Sequence, residues 1–372
     1  MTFNKYSIPN QKGFSLIEIM IGLVIGLLVT LVIIQVMSVF ESQKRSTTGT
    51  ADAQTNGAIA LYNISRELKF AGYSLMPSGF AGSSDSPIEC TALTLGTTGI
   101  AATTPAMINL SPAIINNGVA VAGVSNASDT ITIRYGTSRS GGIPSIISAA
   151  PIGRAITVTS NFGCQSGDTV LINGGATCAM GLLATATDSP AGVTGTTTVN
   201  LRGTETVPAI AAAGSKLSCM GIWNTITYAV VNGNLQRNGV DTVAGVVNIQ
   251  AQYGISNTVN DNQINAWVEP TGAWSSASLT TTTRNRIKAL RIAIVARNTK
   301  MEPAVVTSAC DSTTGTGLCA WADIPVGGTI DTASPAPPIS LSDGDTNWAR
   351  YHYRVFETVI PLRNMIWSRE TL

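Results

Sequence analysis

Apolar positions follow one another almost without a break from Gly13 to Phe40 (GFSLIEIMIGLVIGLLVTLVIIQVMSVF), 28 residues with a single charged side chain, Glu18. A helix rising 1.5 Å per residue crosses a bilayer in about 20 apolar residues, so this run spans one with about two turns to spare. From Glu41 the pattern turns periodic. Ala58, Leu61, Ile64 and Leu68 recur at spacings of three and four, while Asn63, Arg66, Glu67 and Lys69 fall elsewhere, which is an amphipathic helix face. The simplest reading is one long helix from Phe14 to about Ala71, its first half in lipid and its second half on a globular core, stopped by Gly72 and Pro77. The stretch between, ESQKRSTTGTADAQTNG, is poor in helix formers and carries Gly49 and Gly57, which predicts a kink or frayed turn there.

Beyond Pro77 the period changes. Residues 77 to 128 are rich in Gly, Ser, Thr, Ala and Pro with little periodicity, and predict an irregular surface region with one or two short strands. Alternating, β-branched runs then predict strands at Thr130–Tyr135, Ala155–Thr159, Asp168–Ile172, within TTTVNL, and at Ile222–Val231, Asn234–Arg237, Val246–Ile255, Ala289–Arg297 and Tyr351–Leu362. Asn232-Gly233 joins two of these as a strong hairpin signal. Between Val246–Ile255 and Ala289–Arg297 lies a polar stretch, read as a loop, with Trp267 and Trp274. Pro335 to Pro338 (PAPP) predicts a stiff extended connection.

The lone Glu18 changes the reading of the apolar run. The run is about twice the length of a cleaved secretory signal's core and has no small-x-small site after it. A carboxylate five residues into it costs a few kcal/mol unless paired, which makes it a functional candidate. Lys5 and Lys12 on the near side favour a cytoplasmic N-terminus and an exported remainder. Gly22 and Gly26 form a small-xxx-small pair that lets helices approach closely.

Lys12-Gly13-Phe14-Ser15-Leu16-Ile17-Glu18 resembles the class III signal of type IV prepilins, with the basic leader and long apolar helix at matching spacing. NGNLQR, GVVNIQAQYGI, RIKALRIAIVARN and YRVFETVIPLRN are similar in order and character to PilW-type minor pilins, as is GDTVLI between Cys164 and Cys178. The resemblance implies an α+β, pilin-like fold: a long N-terminal helix, transmembrane in its first half, packed on an antiparallel β-sheet-rich globular domain. It implies cleavage between Gly13 and Phe14 by a prepilin peptidase, N-methylation of Phe14, and an assembly role for Glu18 opposite a neighbouring subunit's terminal amine. A free ammonium on Phe14 and the Glu18 carboxylate would each need an opposite charge in lipid or a filament core. The parts are then a leader (1–13), a transmembrane and assembly helix (14–40), its amphipathic continuation (41–72) and an extracytoplasmic β-rich domain (73–372). One departure stands out: Gln35 occupies the place, about two dozen residues into the mature helix, where major pilins often carry proline.

The implied partners are other minor pilins and the major pilin through the helix, the prepilin peptidase, the inner-membrane assembly platform and, in a tip position, an adhesin. The implied location is the inner membrane before assembly and the pilus or cell surface after it. The nearest rival is a J-type minor pseudopilin of a type II secretion system. A signal-anchored periplasmic enzyme or binding domain is the alternative of another class.

Composition bears on that last alternative. Removing the 13-residue leader with its two lysines takes the formal charge from +1 to −1, which gives no support for nucleic-acid binding. Charged residues are 12% of the chain. The one histidine, His352, lies inside the last strand, so the usual base for hydrolytic catalysis is lacking; no catalytic residue and no cofactor is predicted. Six cysteines in an exported domain, Cys90, Cys164, Cys178, Cys219, Cys310 and Cys319, point to disulfides, and without a Cys-x-x-Cys they argue against zinc. Cys164 and Cys178 flank one strand and are placed for a local bridge; Cys310 and Cys319 bracket a short loop. Asp343, Asp345 and Asn347 have the alternation of a calcium loop's first half. Trp348 and Arg354 stand where that loop needs Gly and Glu, so a polar turn is the simpler reading. The loop tryptophans fit interface anchors or packing over a core edge.

Overall fold

The computed structural model describes residues 13–75, 90, 92–95, 110–118, 127–175, 177–203, 207–311, 316–321, 339, 341 and 346–366. Leader residues 1–12, most of the Gly/Ser-rich region and Pro335–Pro338 lie outside these. The chain divides into two compact units, one ending at Ala51 and the other beginning at Asp52.

Leu16–Leu68 is α-helical throughout its 53 residues, so the frayed turn predicted between residues 41 and 57 does not occur. Gly57 has a different reason to be glycine. A Cβ there would overlap the ring of Phe356 on strand Tyr351–Pro361, so the residue permits helix and strand to touch. Ala53, Ala60, Ile64 and Leu68 recur along the helix and are buried, whereas Ala58, expected on this face, is exposed and Leu61 half-buried, so the buried stripe is centred to one side of the expected one. The chain leaves the helix through Gly72, at φ +76°, whose N–H donates to the Arg134 carbonyl at 2.8 Å.

Among the described residues the second unit builds four sheets. The tail sheet is antiparallel, in the order Ala266–Val268, Val246–Ile255, Ile287–Met301, Tyr351–Pro361. Its central strand Ile287–Met301 is covered on both faces: Leu290, Ile292 and Ile294 join the main core with Ile64 and Leu68, while Ala293 and Val295 meet Leu318, Ala320 and Ile339. The hairpin sheet runs Val240–Ala244, Asn234–Arg237, Asn224–Val231, Ala127–Tyr135, Ala113–Gly118. Asn232 and Gly233, at φ +52° and +75°, close its two-residue turn between the paired Val231 and Asn234. The third sheet runs Ala92–Leu95, Thr177–Leu182, Thr169–Asn173, Lys216–Gly221, Pro144–Ile146, with its first pair parallel; a small sheet joins Ala155–Thr157, Thr198–Asn200 and Val193–Thr194. The fold is thus α+β, a long apolar N-terminal helix followed by a β-rich domain of mainly antiparallel sheets.

The third sheet corrects one expectation. Cys164 bonds to Cys219 and Cys90 to Cys178, so the local Cys164–Cys178 bridge does not form. Thr169–Asn173 and Thr177–Leu182 form a hairpin that separates two cores. Leu171, Cys178, Met180 and Met220 face the main core; Val170, Ile172, Leu217 and Cys219, with Cys164, face a second one. Cys164 and Cys178 therefore sit on opposite faces of one sheet. Cys310 bonds to Cys319 across the short loop. Trp267 also differs from its reading: it lies on the edge strand Ala266–Val268, not in a loop.

Candidate functional site

Gly13, Phe14 and Ser15 precede the helix. Ser15 and Glu18 then cap the start of the helix. The Ile17 N–H donates to Ser15 Oγ at 3.4 Å, and Glu18 Oε2 accepts the Ser15 N–H at 3.3 Å. The carboxylate thereby satisfies a free donor at the positive end of the helix within its own chain. The S-x-x-E spacing was a visible signal for this cap, eclipsed by the oddity of a charge in an apolar run.

Around this carboxylate the helix is apolar on all sides. Phe14 is 83% exposed, and the large apolar side chains from Leu16 to Phe40 are exposed along with it. By its length and apolar composition this helix is the candidate membrane span, with none of its most apolar stretch buried. Positions 22 and 26 have open space where a Cβ would stand, so their glycines leave a shallow strip on the helix surface.

In the second unit the predicted residues take structural places. Trp267 and Trp321 bracket the Arg291 guanidinium at 5.0 and 4.4 Å, and Trp274 receives Arg286 at 5.2 Å. Arg291 Nε donates to Gln252 Oε1 at 2.6 Å, and Gln252 in turn bonds Glu269, whose carboxyl burial pushes up. These tryptophans shield cations over the edge of the tail sheet. Trp348 begins a short 3₁₀ turn. His352 Nε2 lies 3.9 Å from Glu302 Oε1, an ion pair only when protonated. Of the calcium candidates, Asp343 and Asp345 lie outside the described residues. Among the described residues no group of His, Cys, Asp and Glu is placed to hold a metal.

Two buried polar clusters had no sequence signal. Glu67, 4% exposed on the helix, accepts from Arg237. Asp129 is fully buried where three strands meet: its carboxylate accepts the Gly118 N–H at 2.9 Å and the Ala251 N–H at 2.8 Å. Burial pushes its pKa up to about 7 against those two bonds.

The family model for Type IV Pilus-assembly protein W matches residues 222–364, a stretch that holds the tail sheet and the Asn232-Gly233 hairpin. The model for the Prokaryotic N-terminal methylation motif matches residues 8–34, which hold Gly13, Phe14 and Glu18. No curated protein and no solved structure matches the chain.

Proposed function

We propose that this chain is a type IV minor pilin with a prepilin-type signal, processed between Gly13 and Phe14, inserted by its apolar helix and priming pilus assembly from a tip position. The family matches point to a structural, pilus-related protein. The observation that carries the reading is the N-terminal segment: an apolar helical run over residues 14–40, exposed all round, whose one carboxylate sits at its N-terminal end just past Gly13. Cleavage would place the Phe14 ammonium four residues from Glu18, and the carboxylate that caps the helix is then positioned to meet a terminal amine, its own or a neighbour's. The lysine-bearing leader stays in the cytoplasm, residues 14–40 span the inner membrane, 41–72 continue the helix, and the β-rich domain lies outside, where its disulfides persist.

A domain of this size would crowd a regularly repeated lattice, which favours a low-copy tip place. The partners are then other minor pilins and the major pilin through the helix, the prepilin peptidase, the assembly platform and a tip adhesin. The match to a pilus-assembly family favours a pilus over a secretion-system pseudopilus.

Intact mass of the membrane-extracted protein, with and without the prepilin peptidase, tests this. The expected mature chain begins at N-methylated Phe14 only when the peptidase is present. A chain beginning at Met1 in both strains overturns the processing and, with it, the assembly role of Glu18.

A further inference from the structure

Five Asn-Gly dipeptides lie along the chain, at Asn56, Asn117, Asn173, Asn232 and Asn238. Asparagine is a labile side chain, and most so before glycine, where no side chain hinders attack of the next backbone nitrogen on the carboxamide. That attack needs two free groups: a glycine N–H without an acceptor and a carboxamide able to swing onto it. The fold decides which of the five pairs has both.

Four are blocked. Gly57 lies inside helix Leu16–Leu68, where its N–H is committed to the helical ladder. Gly118 N–H donates to Asp129 Oδ1 at 2.9 Å and Gly174 N–H to the Thr177 carbonyl at 3.1 Å, so neither nitrogen is available. Asn238 is held by its side chain instead. Its Oδ1 accepts the Thr227 N–H at 2.7 Å and its Nδ2 donates to the Thr225 carbonyl at 3.4 Å, which fixes the carboxamide on strand Asn224–Val231.

Asn232-Gly233 has none of these locks. It forms the hairpin tip beyond the paired Val231 and Asn234, and Asn232 is exposed. Among the described residues neither the Asn232 carboxamide nor the Gly233 N–H has a hydrogen-bond partner. Nothing lies within 4 Å of where a Cβ on Gly233 would stand, so a tetrahedral adduct there meets no neighbour. Only the end pair Val231–Asn234 has to fray for the 232–233 peptide to turn toward the carboxamide.

We propose that Asn232 is the site at which the folded chain deamidates, with water as the co-reactant. The Gly233 nitrogen bonds to Asn232 Cγ, the Cγ–Nδ2 bond breaks, and ammonia leaves with the proton that the Gly233 nitrogen gives up. Water then opens the succinimide at either carbonyl, leaving aspartate when it attacks the side-chain carbonyl and isoaspartate when it attacks the backbone one. Both products put a negative charge on the hairpin tip. Isoaspartate also adds a backbone carbon to a two-residue turn and so loosens it, whereas Asp-Gly suits the same turn. The site stands independently of how the N-terminus is processed.

The test ages the full chain in detergent at mildly alkaline pH, folded in one sample and reduced and unfolded in guanidinium chloride in another. Peptide mass spectrometry follows acid formation at each Asn-Gly, and electron-transfer fragmentation identifies isoaspartate. In the folded chain, conversion at Asn232 is expected to outrun that at each of the other four several-fold. In the unfolded chain the five should convert within a few-fold of one another, because the dipeptide is the same. Equal conversion across the five in the folded chain, the same preference for Asn232 in both samples, or no acid at Asn232 in the folded chain by the time the unfolded one has converted would each overturn the proposal.

Discussion

Arg237 grips Glu67 with two nitrogens on one oxygen, Nη2 at 2.8 Å and Nε at 3.0 Å from Oε1, and so ties the long helix to the hairpin sheet. The partners are unequally placed: the Arg237 side chain is 39% exposed and that of Glu67 only 6%. Removing each should therefore cost differently. Arg237→Ala strands a buried carboxylate, at about 3 kcal/mol, whereas Glu67→Gln leaves a cation that can turn to water, at about 1 kcal/mol. Thermal unfolding of the two variants checks this; equal shifts would mean the pair is solvated.

Gly57 and Phe356 make a second helix-to-sheet contact. Gly→Ala inside a helix ordinarily gains up to about 1 kcal/mol, so Gly57→Ala would stabilise a loosely packed site. Here the added methyl meets the Phe356 ring, and destabilisation of about 1–3 kcal/mol is expected instead. Adding Phe356→Leu should recover part of the loss, giving a double variant less destabilised than the sum of the singles.

Asp129 should make stability pH-dependent. Its carboxyl titrates at 3.8 in the unfolded chain and at about 7 in the folded one, so the folded state holds the extra proton between these values. Its contribution is full below about pH 4, falls as pH rises, and is lost above about pH 7, a span of about 4 kcal/mol at about 1.4 kcal/mol per unit. Asp129→Asn, neutral throughout, should unfold more easily than wild type at pH 5 and lose less between pH 5 and 8. Parallel melting curves for the two proteins across that range would sink this account.

The disulfides should separate by loop length. Loop-closure entropy gives about 4 kcal/mol for Cys164–Cys219, across 55 residues, and about 3 kcal/mol for Cys310–Cys319, across 9. Cys164→Ser should thus lower the melting temperature more than Cys310→Ser. Peptide mapping without reduction should recover 90–178, 164–219 and 310–319 cross-links; a 164–178 peptide would contradict the two-faced sheet.

What could be read along the chain was whatever depends on neighbours in sequence. The apolar run, Glu18 within it, Ile64 and Leu68 on the buried helix face, and the turn at Asn232-Gly233 rest on local spacing, and they stand where the spacing put them; Ala58, read into that face, is exposed, and Ala60 is buried in its stead. Gly57 was misread because helix propensity is local, while the reason for its glycine is a ring nearly three hundred residues away. Cys164 and Cys178 look adjacent along the chain, but the hairpin between them turns one to each face of a sheet. Asp129 and Glu67 were silent for the same reason. Their burial and partners come from strands distant in sequence, and only the packing of those strands sets the dielectric and the donors around them.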